Sequence, residues 1–178
     1  MRTEFETQFI QGLGDLVNRL KFIDESGVNL GLTRLFGRAA PGERVGEATP
    51  GHAGAHYTLV AALGWQGVCA PWVLEGAMDG SAFEVYVQQV LGPTLRRGDI
   101  VVMDNLSAHQ RGRIRPLIEA RGARLAFLPP YSPDFNPIEL CWSKVKTVLR
   151  TAKARTFEAL LAALADALRS VSDRKSVV

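Results

Sequence analysis

The sequence is short of the residues that build thiolate or disulfide scaffolds. Its only two cysteines, Cys69 and Cys141, are too few and too far apart for a disulfide framework or a cysteine-based zinc site. There are three histidines; His52 and His56 flank a glycine loop without a third ligand nearby, which argues against a histidine metal site there. No apolar run reaches the roughly 18 residues a membrane helix needs. The opening Met1-Arg-Thr-Glu-Phe-Glu6 lacks the apolar stretch of a secretory leader, so the expected location is cytoplasmic and no membrane partner is expected. Internal repeats, low-complexity stretches and interdomain linkers are also missing.

What is present suits a single globular domain. The 178 residues are 47% hydrophobic and 22% charged, enough for one real core. The net charge of +3 is gathered in two clusters. Arg111, Arg113, Arg115, Arg121 and Arg124 form one; Lys144, Lys146, Arg150, Lys153 and Arg155 form the other. Such clusters neutralise phosphates without reading bases, and they also occur on ordinary solvated helix faces. Arg111, Arg113, Lys144 and Lys146 are the candidate DNA contacts among them. Tyr131, in a proline-rich loop, is a further candidate. Trp65, Trp72 and Trp142 could stack on bases, but roles in the core or in helix packing are the simpler reading.

The hydrophobic pattern predicts an α/β layer architecture with a mixed sheet. Residues 1–20 carry a helical rhythm weakened by Gly12 and Gly14. Lys21–Gly27 reads as a short strand ending in an acidic, glycine-closed turn, and Leu32–Arg38 as a second strand. His56–Leu63 and Val68–Leu74 are two more, joined by the Gly64–Gly67 turn, so an antiparallel meander is expected. A helix opens at Asp79 and stops at Gly92-Pro93. Asp99–Asp104 reads as a fully buried parallel strand. A helix over 110–121, a strand over Arg124–Leu128, a proline loop, a helix from Pro137 to about Arg150 and an amphipathic helix over Thr156–Val171 complete the chain. The crossover rule places the Asp99–Asp104 strand beside the first strand or close to it.

Three carboxylates stand out. Asp24 ends the first predicted strand and Asp104 the later buried one. On neighbouring strands the two would repel each other, and one would tend to take up a proton. A divalent cation with a preference for oxygen ligands, magnesium above all, removes that penalty. Glu139 lies in the first turn of the helix after the proline loop. Asn136 suits the N-cap and Pro137 the first helical position, so Glu139 has two readings: a capping-box partner of residue 136, or a third carboxylate turned toward the strand ends. Two cations about 4 Å apart on such acids can activate a water or a 3′-hydroxyl and stabilise the leaving oxygen of a phosphoryl displacement.

Three blocks carry a family resemblance. Phe-Ile-Asp-Glu-Ser-Gly (22–27), Met-Asp-Asn-Leu-Ser-Ala-His (103–109) and Leu-Pro-Pro-Tyr-Ser-Pro-Asp-Phe-Asn-Pro-Ile-Glu (128–139) resemble the catalytic blocks of bacterial insertion-sequence transposases of the Tc/mariner superfamily. The 34 residues between Asp104 and Glu139 match the spacing of that family. The resemblance implies an RNase H-like fold, two Mg2+ or Mn2+ ions and cut-and-paste transposition. It implies Asp24, Asp104 and Glu139 as the metal-binding catalytic residues, with Asn105 and His109 near the site. Double-stranded DNA, as transposon ends and target, is the implied substrate, and a homodimer the active form. One departure matters: relatives carry helix-turn-helix modules ahead of the first Asp, whereas 23 residues precede Asp24 here. The expected organisation is therefore a lead-in helix or remnant (1–20), a catalytic domain (21–172) and a tail (173–178), with DNA recognition supplied by a separate upstream polypeptide or reading frame. A remnant that binds DNA or a partner without catalysis is one alternative. A nuclease of RNA–DNA hybrids is another, since the fold would be shared; the proline-loop block argues against it.

Overall fold

The computed structural model describes residues 16–105, 112–129 and 135–172. Its centre is a five-stranded sheet built from β1 (Leu20–Asn29), β2 (His56–Gly64), β3 (Gly67–Glu75), β4 (Ile100–Met103) and β5 (Arg124–Phe127). The order across the sheet is β3-β2-β1-β4-β5. β1, β2 and β3 form an antiparallel meander, and β4 and β5 run parallel to β1. The helices are α1 (Gly80–Val85), α2 (Ile114–Glu119), α3 (Ile138–Ala152) and α4 (Phe157–Ser172). This is the expected mixed sheet flanked by helices, with β4 directly beside β1.

Alternation along the strands sorts residues onto two faces. On one face Ile23, Val60, Ala62, Val101 and Met103 pack with Phe83, Tyr86, Ile114 and Ile118, so α1 and α2 cover it. On the other, Val28, Tyr57, Leu59 and Ala61 pack with Ile138, Trp142, Val145 and Leu149 of α3 and with Leu160, Leu164 and Ala167 of α4. Leu20, Ile100, Val102 and Leu128 extend that second face under β4. Ile138, Trp142, Val145 and Leu149 recur at helical spacing, as do Leu160, Leu164, Ala167 and Val171; these stripes hold α3 and α4 down. Truncating one such Leu to Ala costs about 2–5 kcal/mol.

Four expectations need correction. The first strand does not stop at the Asp24–Gly27 turn: β2 pairs with it over its whole length, from Lys21↔Gly64 to Asn29↔His56, and this ladder carries the chain straight through Gly27. Leu32–Arg38 is not a strand. Leu35 and Phe36 are 66% and 89% exposed, so little apolar burial is available to hold this segment as a strand. It belongs to a long loop closed at its base, where the Leu30 N–H donates to the Ala55 carbonyl at 3.3 Å. A Cβ on Gly31 would lie 2.8 Å from the Ala53 Cα, so only glycine admits that approach. The helix opened by Asp79 is α-helical only to Val85; Tyr86–Leu91 widen into a π-helical turn and Gly92–Thr94 tighten into a 3-10 turn. The helix expected over 110–121 is also shorter: Gly112 and Arg113 lie in a turn, and α2 starts at Ile114.

Candidate active site

Asp24 sits where the β1–β4 ladder ends. That ladder pairs Leu20↔Ile100, Lys21↔Val101 and Phe22↔Val102. Carried two residues further in the same register, Asp24 comes opposite Asp104, the first residue past β4. Adjacent strands run about 4.8 Å apart, so the two acids leave the sheet as neighbours. Parity gives both the same face. Phe22 and Val28 pack on the side covered by α3, as do Ile100 and Val102 of β4, so Asp24 and Asp104 fall on that side. Glu25 falls on the opposite side, where its charge acts on Tyr86.

Glu139 enters from above. It lies in the first turn of α3, is exposed, and is the acidic residue at that positive helix end. The expected capping box does not form. The cap residue is Pro137, with φ −65° and ψ −19° and no side-chain hydrogen bond, so the helix starts one residue later than expected. The Glu139 N–H donates to the backbone carbonyl of Asn136 at 3.1 Å instead. The Asn136 Oδ1, buried, has no hydrogen-bond partner among the described residues. The carboxylate of Glu139 is thus not engaged in closing the helix.

Electrostatics join the three acids. Burial raises the Asp24 carboxyl from 3.8 to about 7; a backbone hydrogen bond at Glu25 opposes this, and the charges of Glu139, Asp104 and Glu25 add to it. A half-buried carboxyl that feels two other acids is what the approach of Glu139 and Asp104 should produce. Among the described residues, no three His, Cys, Asp or Glu side chains are drawn together tightly enough to hold a metal ion as they stand. The acids still fit a hard divalent cation, because the charges of Glu139 and Asp104 both act on the half-buried carboxyl of Asp24 and a cation would relieve that repulsion.

The other predicted contacts divide. Asn105 follows Asp104 directly and is exposed. His109, Arg111 and Tyr131 lie outside the described residues. Lys146 stands seven residues after Glu139, hence on the same stripe of α3, while Lys144 is exposed and lies off that stripe. Arg113 is on α2's side of the sheet, ion-paired with Glu84 at 3.2 Å. Two members of the second basic cluster serve the fold: Lys153 pairs with Glu47, and Arg155 donates to the Leu30 and Leu32 carbonyls at 2.7 and 3.1 Å. Of the tryptophans, Trp142 is in the core and Trp72 stacks on Tyr86 with centroids 6.2 Å apart; Trp65, expected to be packed, is 62% exposed on the β2–β3 turn. Cys141 is buried, which pushes its thiol up to about 11 and leaves it unreactive. The residue that sequence reasoning misplaced is Asn136, taken there for a cap.

A sheet of this order, with one aspartate inside β1, one just past β4 and a glutamate in the first turn of α3, defines a class. Residues 19–161 match the family model of the DDE superfamily endonuclease, and the chain belongs to that family. It is similar to the Tcb1 transposase of a transposable element of Caenorhabditis briggsae, 28% identical over 100 residues that make up 54% of this chain and 37% of that protein. Its fold matches the Mos1 transposase paired-end complex with the left transposon end, with a TM-score of 0.77 at 16% identity, over 99% of this chain and 55% of that one. It also matches the catalytic domain of Mos1 mariner transposase, with a TM-score of 0.69 at 13% identity, over 99% of this chain and 82% of that one. The fold is therefore the RNase H-like one expected. The chain spans about a third of the length of the curated relative and about half of the Mos1 chain in its paired-end complex.

Proposed function

We propose that this chain is the catalytic domain of a bacterial insertion-sequence transposase, which cleaves DNA strands and joins them to a target. The carrying observation is that Glu139 and Asp104 both act on the half-buried carboxyl of Asp24, in a chain of the DDE endonuclease family. Asp24, Asp104 and Glu139 are the catalytic residues in this reading, and they hold Mg2+ or Mn2+, as two ions. Mos1 paired-end complexes are known with Mg and with Mn, which supports that choice. Held by these three acids, such cations would supply activation of a water or 3′-hydroxyl and stabilisation of the departing oxygen.

The chain's own residues supply the rest. β1 and β4 fix the two aspartates in register, and α3 delivers Glu139 over them. Asn105 and His109 flank the acids. Lys146 on the Glu139 stripe, with Lys144, Arg111 and Tyr131, holds the phosphates of double-stranded DNA, transposon end and target alike. The Mos1 complexes with transposon ends support DNA as the substrate. A homodimer is the active form, acting in the cytoplasm on the nucleoid. Residues 21–172 are the catalytic unit, 1–20 a lead-in and 173–178 a tail.

The test is nicking of supercoiled plasmid with Mg2+ or Mn2+. The wild-type chain should nick, and Asp24→Ala, Asp104→Ala and Glu139→Ala should each abolish it. Undiminished nicking by any one variant removes that residue from the site, and no nicking by the wild type favours a remnant that binds without catalysis.

A further inference from the structure

Asn136 is 5% exposed and sits three residues before Glu139. Its backbone carbonyl takes the Glu139 N–H, so it is tied to the turn that carries the carboxylate. Its side-chain Oδ1 is buried and has no hydrogen-bond partner among the described residues. An unpaired buried carbonyl oxygen costs about 1–3 kcal/mol, and native proteins keep few of them. Helix capping does not account for it, because α3 has no side-chain cap.

The neighbouring acids cannot satisfy it either. An amide oxygen only accepts, and so do ionised carboxylates. Asp104 and Glu139, and Asp24 when ionised, therefore offer this atom no donor, which leaves a water or a hydroxyl to supply one. Water held on a divalent cation is a polarised, strong donor, and partners one layer out from the ligands commonly fix such sites.

We infer that Asn136 is a positioning residue of the cation site: its Oδ1 accepts a hydrogen bond from a water bound to the divalent cation that Glu139 holds. This rests on the reading of the three acids as a cation site. One rival comes from the same helix. Trp142 Nε1 is a buried donor that also lacks a partner among the described residues, and a buried water could link the two groups and serve only the fold.

The experiment uses the whole chain and Mn2+ alone, with affinity measured by calorimetry and stability by thermal melts without metal. Asn136→Leu and Asn136→Ala both remove the acceptor, one keeping bulk and one not. Asn136→Leu should melt at or above the wild-type temperature without metal, because it removes an unsatisfied polar group. Both variants should bind Mn2+ about tenfold more weakly or worse, while Trp142→Phe should bind it as the wild type does. Wild-type Mn2+ affinity in both Asn136 variants overturns the inference. So does unfolding of both without metal, or an equal loss of affinity in Trp142→Phe. A wild-type chain that binds no Mn2+, or a Glu139→Gln variant that binds it undiminished, is a different result: it removes the cation-site reading, and this inference with it.

Discussion

Asp24 in the middle of β1 stands opposite Asp104 just past the end of β4, because the register of the short β1–β4 ladder carries one to the other. β1 runs on alone beside β2 for five more residues, to Asn29. The site thus lies where one side of β1 loses its partner strand. That gives the acids a rigid strand behind them, which precise ligand geometry requires.

Charge on Asp24 destabilises the metal-free fold. Its carboxyl sits at about 7 against 3.8, burial being the first cause and the charge of Glu139 the largest neighbouring one that raises it. Between those pH values the folded chain keeps a proton that the unfolded chain has released, so stability present at low pH is lost as pH rises from 3.8 to about 7. Asp24→Asn should abolish that decline and stabilise the metal-free chain around pH 8 by on the order of 2 kcal/mol, while ending nicking. Urea melts in chelator around pH 5 and pH 8 check it. A wild type whose stability is flat or rises over that interval would refute the raised carboxyl.

Glu139→Gln separates ligand from cap. Gln can serve a capping box, but the helix is capped by the backbone around Pro137 and the Glu139 side chain takes no part. The variant should fold within about 0.5 kcal/mol of the wild type, as for a surface change, and lose metal-dependent nicking. Retained nicking with lowered stability would return Glu139 to a structural role.

Much of this was legible in the sequence because it lies in local pattern. The apolar run in His56–Leu63 and the unbroken apolar run before Asp104 set two strands, and the stripe from Ile138 to Leu149 set α3. The family resemblance rested on blocks that contain the three acids. What was hidden depends on partners distant in sequence. Whether β1 stops at Gly27 is decided by β2, more than twenty-five residues on. That α3 starts at Ile138 with Pro137 at its cap leaves Asn136 outside the helix, and its burial there is not visible in any window around it. Lys153 and Arg155 look like phosphate ligands in sequence because their acceptors, Glu47 and the Leu30 and Leu32 carbonyls, lie more than a hundred residues earlier.

Arg155 fastens the loop that follows β1. It donates to the carbonyls of Leu30 and Leu32, the point where the chain leaves the sheet. Arg155→Ala should cost about 1–2 kcal/mol and speed proteolytic cutting between Leu32 and Ala55 more than elsewhere, with Lys as the weaker rescue because it lacks the guanidinium fork. Limited proteolysis followed by mass spectrometry reads the outcome. Cutting unchanged in rate and place would mean the loop is held without Arg155.

Two basic residues predicted as DNA contacts stand in different surroundings, and that predicts different behaviour. Lys146 shares the Glu139 stripe of α3, two turns along, so a strand lying over the acids passes within its reach. Arg113 stands on the other face of the sheet and is paired with Glu84. Lys146→Gln should weaken DNA binding equally for all sequences and lower the salt slope by about one counterion, whereas Arg113→Gln should leave affinity and slope near wild type. Fluorescence anisotropy of labelled duplex across a salt series distinguishes them. Loss with Arg113→Gln and none with Lys146→Gln would put the DNA track on the α2 side, and would separate it from the three carboxylates.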